Sequence, residues 1–142
     1  MHISFNFLSK ISLTKRTDLR GFIAKMFKME KRKPGQINFV FCSDQFLLDI
    51  NKAYLQHNYF TDIITFDLSV EGRNCIDGEI YISTDTVREN AGRFNNPIGK
   101  ELHRVIFHGV LHLVGYDDKT LGQQQTMTEK EDFYLQLYFG LS

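Results

Sequence analysis

The chain predicts an α+β fold in which one four-stranded sheet is covered by about five helices. Three observations carry that expectation. The apolar period switches along the chain between two, as in strands, and three to four, as in helices. The resulting order is β, α, β, α, β, β, α, α, α, with the helices gathered late. With 142 residues and 42% hydrophobic content, the chain is long enough to bury one core without staples. It therefore reads as a single domain over residues 1–142.

The elements follow in order. "ISFNF" alternates and opens as a strand. From Thr17 the pattern is helical: Leu19, Phe22, Ile23, Met26 and Phe27 fall at three- and four-residue spacings, with Thr17 or Asp18 as cap and "KRKPG" as the stop. "INFVFCS" is an apolar second strand. Asp44 is positioned to cap a helix carrying Phe46, Leu47, Ile50 and Tyr54, ending near "QHN". "DIITFDL" and "GEIYIS" are the third and fourth strands, with "EGRN" as the turn between them. Two helices follow, about Thr84 to Phe94 and about Lys100 to Val114, divided by Pro97 and Gly99. The last helix runs through "MTEKEDFYLQLY", with Met127, Phe133, Tyr134 and Leu137 as its expected buried face.

Composition excludes several classes. There is no apolar run of membrane-spanning length, no signal-peptide pattern, and only two cysteines without CxxC spacing. The expectation is a cytoplasmic protein with reduced thiols at Cys42 and Cys75. The formal net charge of zero hides an asymmetry. Up to Pro34 there are nine basic residues against Asp18 and Glu30, a net +7, leaving −7 for the remainder. Such a basic end suits a polyanion, RNA being the obvious one, although on charge alone a solvated helix face and a lysine-rich turn explain it slightly better. Lys25, Lys28, Lys31, Arg32 and Lys33 are the candidate RNA-binding residues.

The chemistry concentrates in "FHGVLHLVGYDD". Residues four apart lie on one helical face, so His108 and His112 can present two imidazoles to one ion. Gly115 can end the helix and let the chain return Tyr116, Asp117 or Asp118 toward them. The layout H-x3-H-x2-G-x2-D is that of extended zinc-protease motifs with two changes. Gly109 stands where those proteases carry their catalytic glutamate, and Asp118 stands at the third ligand position. Glycine cannot act as general base, so peptide hydrolysis by that route is not expected. Two histidines and a carboxylate are a known catalytic zinc set, with non-haem iron the rival. The bland alternative is a buried helix whose histidines bond to backbone or to the aspartates.

"HGVLHLVGYDD" resembles the signature HGxLHLxGYDH of the YbeY family of bacterial rRNA maturation factors, metal-dependent endoribonucleases specific for single strands. "TDIITFDL" and "GEIYIS" resemble two of the family's strands, and Met127, Glu131 and Leu135 fit its M-xxx-E-xxx-L helix. The likeness covers about Asn38 to the C-terminus. It implies a small mixed sheet with helices on its faces, and one Zn2+ per chain held by His108, His112 and Asp118, the last replacing the usual third histidine. Asp117 matches the supporting aspartate before that ligand. It also implies ribosomal RNA and the small ribosomal subunit as partners, with ribosome-assembly proteins beside them. Leu55 stands where the family usually has an arginine, and leucine cannot neutralise a phosphate. His57 and Arg104 are the candidate catalytic replacements, unless His57 is simply a loop residue and Arg104 pairs with Glu101. A factor without catalysis whose metal is structural, closed by Cys42, Cys75 or His57, and a metallohydrolase of another substrate are the other readings.

Overall fold

The computed structural model describes residues 2–57 and 61–140. The chain forms β1 (His2–Phe7), α1 (Arg16–Met29), β2 (Pro34–Cys42), α2 (Asp44–Leu55), β3 (Ile63–Asp67), β4 (Ile76–Ser83), α3 (Thr84–Arg93), α4 (Ile98–Leu113) and α5 (Leu121–Phe139). The order and type of the elements are those the apolar periods predict. The strands make one mixed sheet in the order β1-β2-β4-β3, with β1, β2 and β4 parallel and β3 antiparallel on the edge. Parallel neighbours need long crossovers, which α1 and the α2–β3 segment supply.

Alternation along the strands decides where the core lies. Ile3, Ile37, Phe39, Phe41, Ile76, Ile80 and Ile82 join α1, α4 and α5 in the main core, where Leu19, Ile23, Phe27, Phe107 and Tyr134 are fully buried. Burying each such side chain contributes roughly 1.5–3 kcal/mol. On the opposite face α2 covers a smaller cluster of Cys42, Leu47, Ile50 and Ile64.

α4 seats on the sheet through two glycines. A Cβ on Gly109 would stand 2.8 Å from Ile80 Cγ2 and 3.2 Å from Ile63 Cδ1. A Cβ on Gly78 would meet the Leu113 methyls at 2.7 and 2.8 Å. The glycine after the first histidine is thus a packing residue, pressed against β3 and β4.

Several boundaries differ from expectation. α1 begins at Arg16, with Lys15 at the N-cap in the left-handed region (φ 53°) and no side-chain cap, so Thr17 and Asp18 fall inside the first turn. Ser43, not Asp44, caps α2 by accepting from the Phe46 N–H at 3.1 Å. The Asp44 carboxylate is used elsewhere, accepting from the hydroxyls of Ser83 and Thr86. Phe46 and Tyr54 are exposed, the buried face of α2 being Leu47, Leu48, Ile50 and Asn51. The expected end of α2 near 56–58 lies partly outside the described residues, the helix closing at Gln56. α4 starts at Ile98, two residues early, with Pro97 at its N-cap. α5 starts at Leu121, earlier than the apolar run, because Thr120 and Gln123 form a capping box. Its buried face is Met127, Glu131, Tyr134 and Leu135, whereas Phe133 and Leu137 face outward. Glu131 on that inward face is the first sign of the site.

Candidate metal centre

His108 and His112 sit one turn apart near the end of α4, their ring centroids 4.6 Å apart and their planes at 78°. The helix ends in a Schellman motif: Gly115 (φ 114°) donates to His112 O at 3.1 Å and Tyr116 to Leu111 O at 3.0 Å. A positive φ is inexpensive only for glycine, so Gly115 sets the direction of the returning chain. That chain brings the Asp118 Oδ2 to 3.3 Å from His108 Nε2 and 3.5 Å from His112 Nε2. The bland alternative, histidines bonded to the aspartates, is not met, because both separations are too long for good hydrogen bonds.

They do suit a shared ion. Nitrogen and oxygen ligands about 2.0–2.1 Å from a tetrahedral zinc stand about 3.3–3.4 Å from one another. Among the described residues, His108, His112 and Asp118 form the group of His, Cys, Asp and Glu side chains whose ligand atoms lie within 4.8 Å. The donor set therefore fits a zinc-sized cation. Asp118 is 41% exposed against 18% and 22% for the two histidines, so the cluster opens to solvent on the carboxylate side.

Behind the cluster lies a chain of groups in which Arg104 was a catalytic candidate from the sequence, whereas Glu131, Asp132 and Asp62 were not assigned to the site. His108 Nδ1–H donates to Glu131 Oε2 at 2.6 Å, which leaves the Nε2 lone pair facing Asp118. Arg104 holds that carboxylate in place, donating from Nη1 to Glu131 Oε1 at 3.0 Å and from Nη2 to Asp132 Oδ1 at 2.7 Å. Its ion-pair partners are thus Glu131 and Asp132 rather than Glu101. Burial pulls the His108 pKa down, but the Glu131 bond and the charges of Glu131, Asp62 and Asp118 outweigh it, and the pKa is raised. Asp62, just before β3, has its carboxyl pushed up chiefly by burial, with His108 pulling it back. Two signals for these residues existed: a charged side chain on the apolar face of α5, and an aspartate opening an apolar strand.

The remaining candidates lie apart from the cluster. His57 is exposed beyond α2, its N–H donating to Asn51 O at 3.1 Å, and its ring is outside the three-residue group. Burial raises the Cys42 thiol to about 11, Asp44 and Asp85 adding to it, and Cys42 belongs to the smaller apolar cluster. Cys75 lines a cleft with Lys28, Lys31, Arg32 and Lys33. Neither thiol completes a four-ligand set with the histidines. Lys25 is exposed on α1 and does not line that cleft, whereas Arg73, which was not anticipated, does.

A family model described as endoribonuclease YbeY matches residues 7–138. The chain belongs to that family. It is 43% identical to the endoribonuclease YbeY of Cytophaga hutchinsonii over 91% of this chain and 90% of that one. The Parabacteroides distasonis enzyme of the same name is 47% identical over 83% and 82%. Among solved structures, the solution structure of a Thermotoga maritima protein superposes with a TM-score of 0.62 at 29% identity, covering 99% of this chain and 90% of that one. Family membership accords with the fold and with a metal-capable cluster at the end of α4. No described helix is long and apolar enough to cross a membrane.

Proposed function

We propose that the chain is a zinc-dependent, single-strand-specific endoribonuclease that acts in ribosomal RNA maturation and ribosome quality control. The observation that supports it best is the convergence of His108 Nε2, His112 Nε2 and Asp118 Oδ2, in a chain of the endoribonuclease YbeY family. These three residues hold the ion. When bound, zinc supplies Lewis-acid polarisation of a phosphodiester. The rest is the work of the chain itself. Glu131 fixes the His108 tautomer and ring plane, and Arg104 fixes Glu131, so Arg104 acts as a positioning residue. The exposed side of Asp118 leaves room for a phosphate to approach. Lys28, Lys31, Arg32 and Lys33 hold the RNA backbone electrostatically, Lys25 adding charge from α1. His57, just past the C-terminus of α2 and outside the three-residue group, is assigned to RNA contact rather than to the metal. The cytoplasm is the compartment, and ribosomal RNA, the small ribosomal subunit and ribosome-assembly proteins are the partners, in this reading.

Leu55, 41% exposed and without charge, favours the second reading, a ribosome-associated factor without catalysis. One experiment separates them. Zinc-loaded protein is expected to cleave single-stranded RNA, while a His112→Ala variant with unchanged circular dichroism loses cleavage. Equal activity in the two proteins, or none in either, contradicts the enzyme reading.

A further inference from the structure

The metal cluster does not stand alone on its side of the sheet. A cleft of about 260 Å³ is lined by Ile63, Thr65, Asp67, His112 and Leu113. A larger one, about 490 Å³, is lined by Lys28, Lys31, Arg32, Lys33, Arg73 and Asp67 among others. Asp67 borders both, so they join into one groove. Its floor is one face of β3, because Ile63, Thr65 and Asp67 alternate onto the same side of the strand. That floor runs about 13 Å from end to end.

The wall is built to stay in place beside the cluster. Arg32 Nη1 donates to Val114 O at 3.2 Å, at the end of α4. Glu30 accepts from Tyr116 at 2.7 Å and from Tyr134, and pairs with Lys130 at 3.3 Å. The turn after α1 is thereby tied to the turn that carries Asp118. On the other side, Ile76 N–H donates to Lys33 O at 2.8 Å, which brings the β3–β4 turn and Arg73 against the lysines. The charges are largely uncommitted. Lys28, Lys31 and Lys33 enter no ion pair among the described residues, and Arg73, paired with Asp77 at 2.8 Å, remains 56% exposed.

Lys31 adds an independent hint. It occupies the left-handed region (φ 60°) at the C-terminal turn of α1, donating to Lys28 O at 3.0 Å while Arg32 donates to Phe27 O at 2.8 Å. Glycine is the residue that suits this position. A lysine there carries strain that its charge can explain.

Resting on the endoribonuclease reading, we infer that this cleft binds backbone phosphates flanking the scissile bond of single-stranded RNA, the strand lying along β3 from the metal cluster to the Lys28–Arg73 wall. A regularly charged, flexible strand is the ligand that exposed cations lining a cleft beside a hydrolytic site recognise.

The test uses the zinc-loaded full chain with two probes, a ~12-nucleotide oligouridylate, within the range of single-strand sites, and the dinucleotide UpU. The wild type is expected to bind the long RNA far better than the short one. Lys28→Gln/Lys31→Gln should lose about tenfold in affinity for the long RNA and shrink the slope of log K against log salt by about 1.4, with a much smaller loss for the dinucleotide. Arg73→Gln, in the other wall, should act in the same direction. Wild-type affinity and slope in both variants overturn the inference, and so does an equal loss on both probes, which marks a general defect. A wild type that cleaves neither probe overturns the endoribonuclease reading as well, whereas normal cleavage with indifferent variants overturns only the cleft.

Discussion

The metal cluster and the basic wall are the two ends of one groove, and they are built in opposite ways. The cluster draws all three of its metal-capable side chains from one helix and the turn after it, residues 108–118, so its geometry follows from helical period and a Schellman stop. The wall joins the turn after α1 to the turn between β3 and β4, segments that meet only because β2 pairs with β4. The cluster is backed by buried groups with fixed hydrogen bonds, while the wall is exposed charge on a strained turn. On the proposed function, precise placement is concentrated where a metal would sit, and exposed, uncommitted charge where a flexible polyanion would lie.

Two substitutions break this contrast from either side. The larger effect is expected at Glu131→Gln. Glutamine can still accept from His108 Nδ1–H, but it removes the negative charge and the Arg104 ion pair. Zinc affinity measured by competition with a chelator should fall about tenfold or more, with thermal unfolding of the metal-free protein little changed. An unchanged affinity would mean that His108 is oriented by α4 alone.

The smaller effect is expected at Lys31→Gly. Relief of the left-handed backbone should stabilise the protein by about 1 kcal/mol, read by chemical denaturation, while affinity for single-stranded RNA drops. Opposite signs in the two measurements sharpen the view that the wall carries strain for the sake of charge. A loss of stability would show that the lysine stem packs against the turn instead.

The same contrast explains what was legible in the sequence. The pair His108 and His112, the stop at Gly115 and the arrival of Asp118 are all local, and their spacing alone places them on one side of a helix end. Strand and helix order were equally readable, because apolar period is a local property. Glu131 and Asp62 were not assigned to the site, although both stood in stretches that resemble the family. Their proximity to His108 depends on α5 and β3 packing against α4. The buried face of α5 was misjudged for a related reason. Phe133 and Leu137 are apolar but point outward, and the inward place falls to a glutamate with a histidine to hold. Arg73 was out of reach because strand pairing across the chain, not spacing, sets it beside Lys31. Gly109 carried a clear message about what the site lacks. Its positive role, letting α4 approach Ile80 and Ile63, needed the packed structure.

The central claim is that three side chains, Asp118 among them, hold one catalytic ion. Calorimetric zinc titration of the wild type and of Asp118→Ala, beside cleavage of single-stranded RNA by the same samples, tests it most directly. One zinc per chain in the wild type, with affinity and cleavage falling together in the variant, is the predicted result. An Asp118→Ala protein that binds zinc and cleaves RNA as the wild type does would contradict the account.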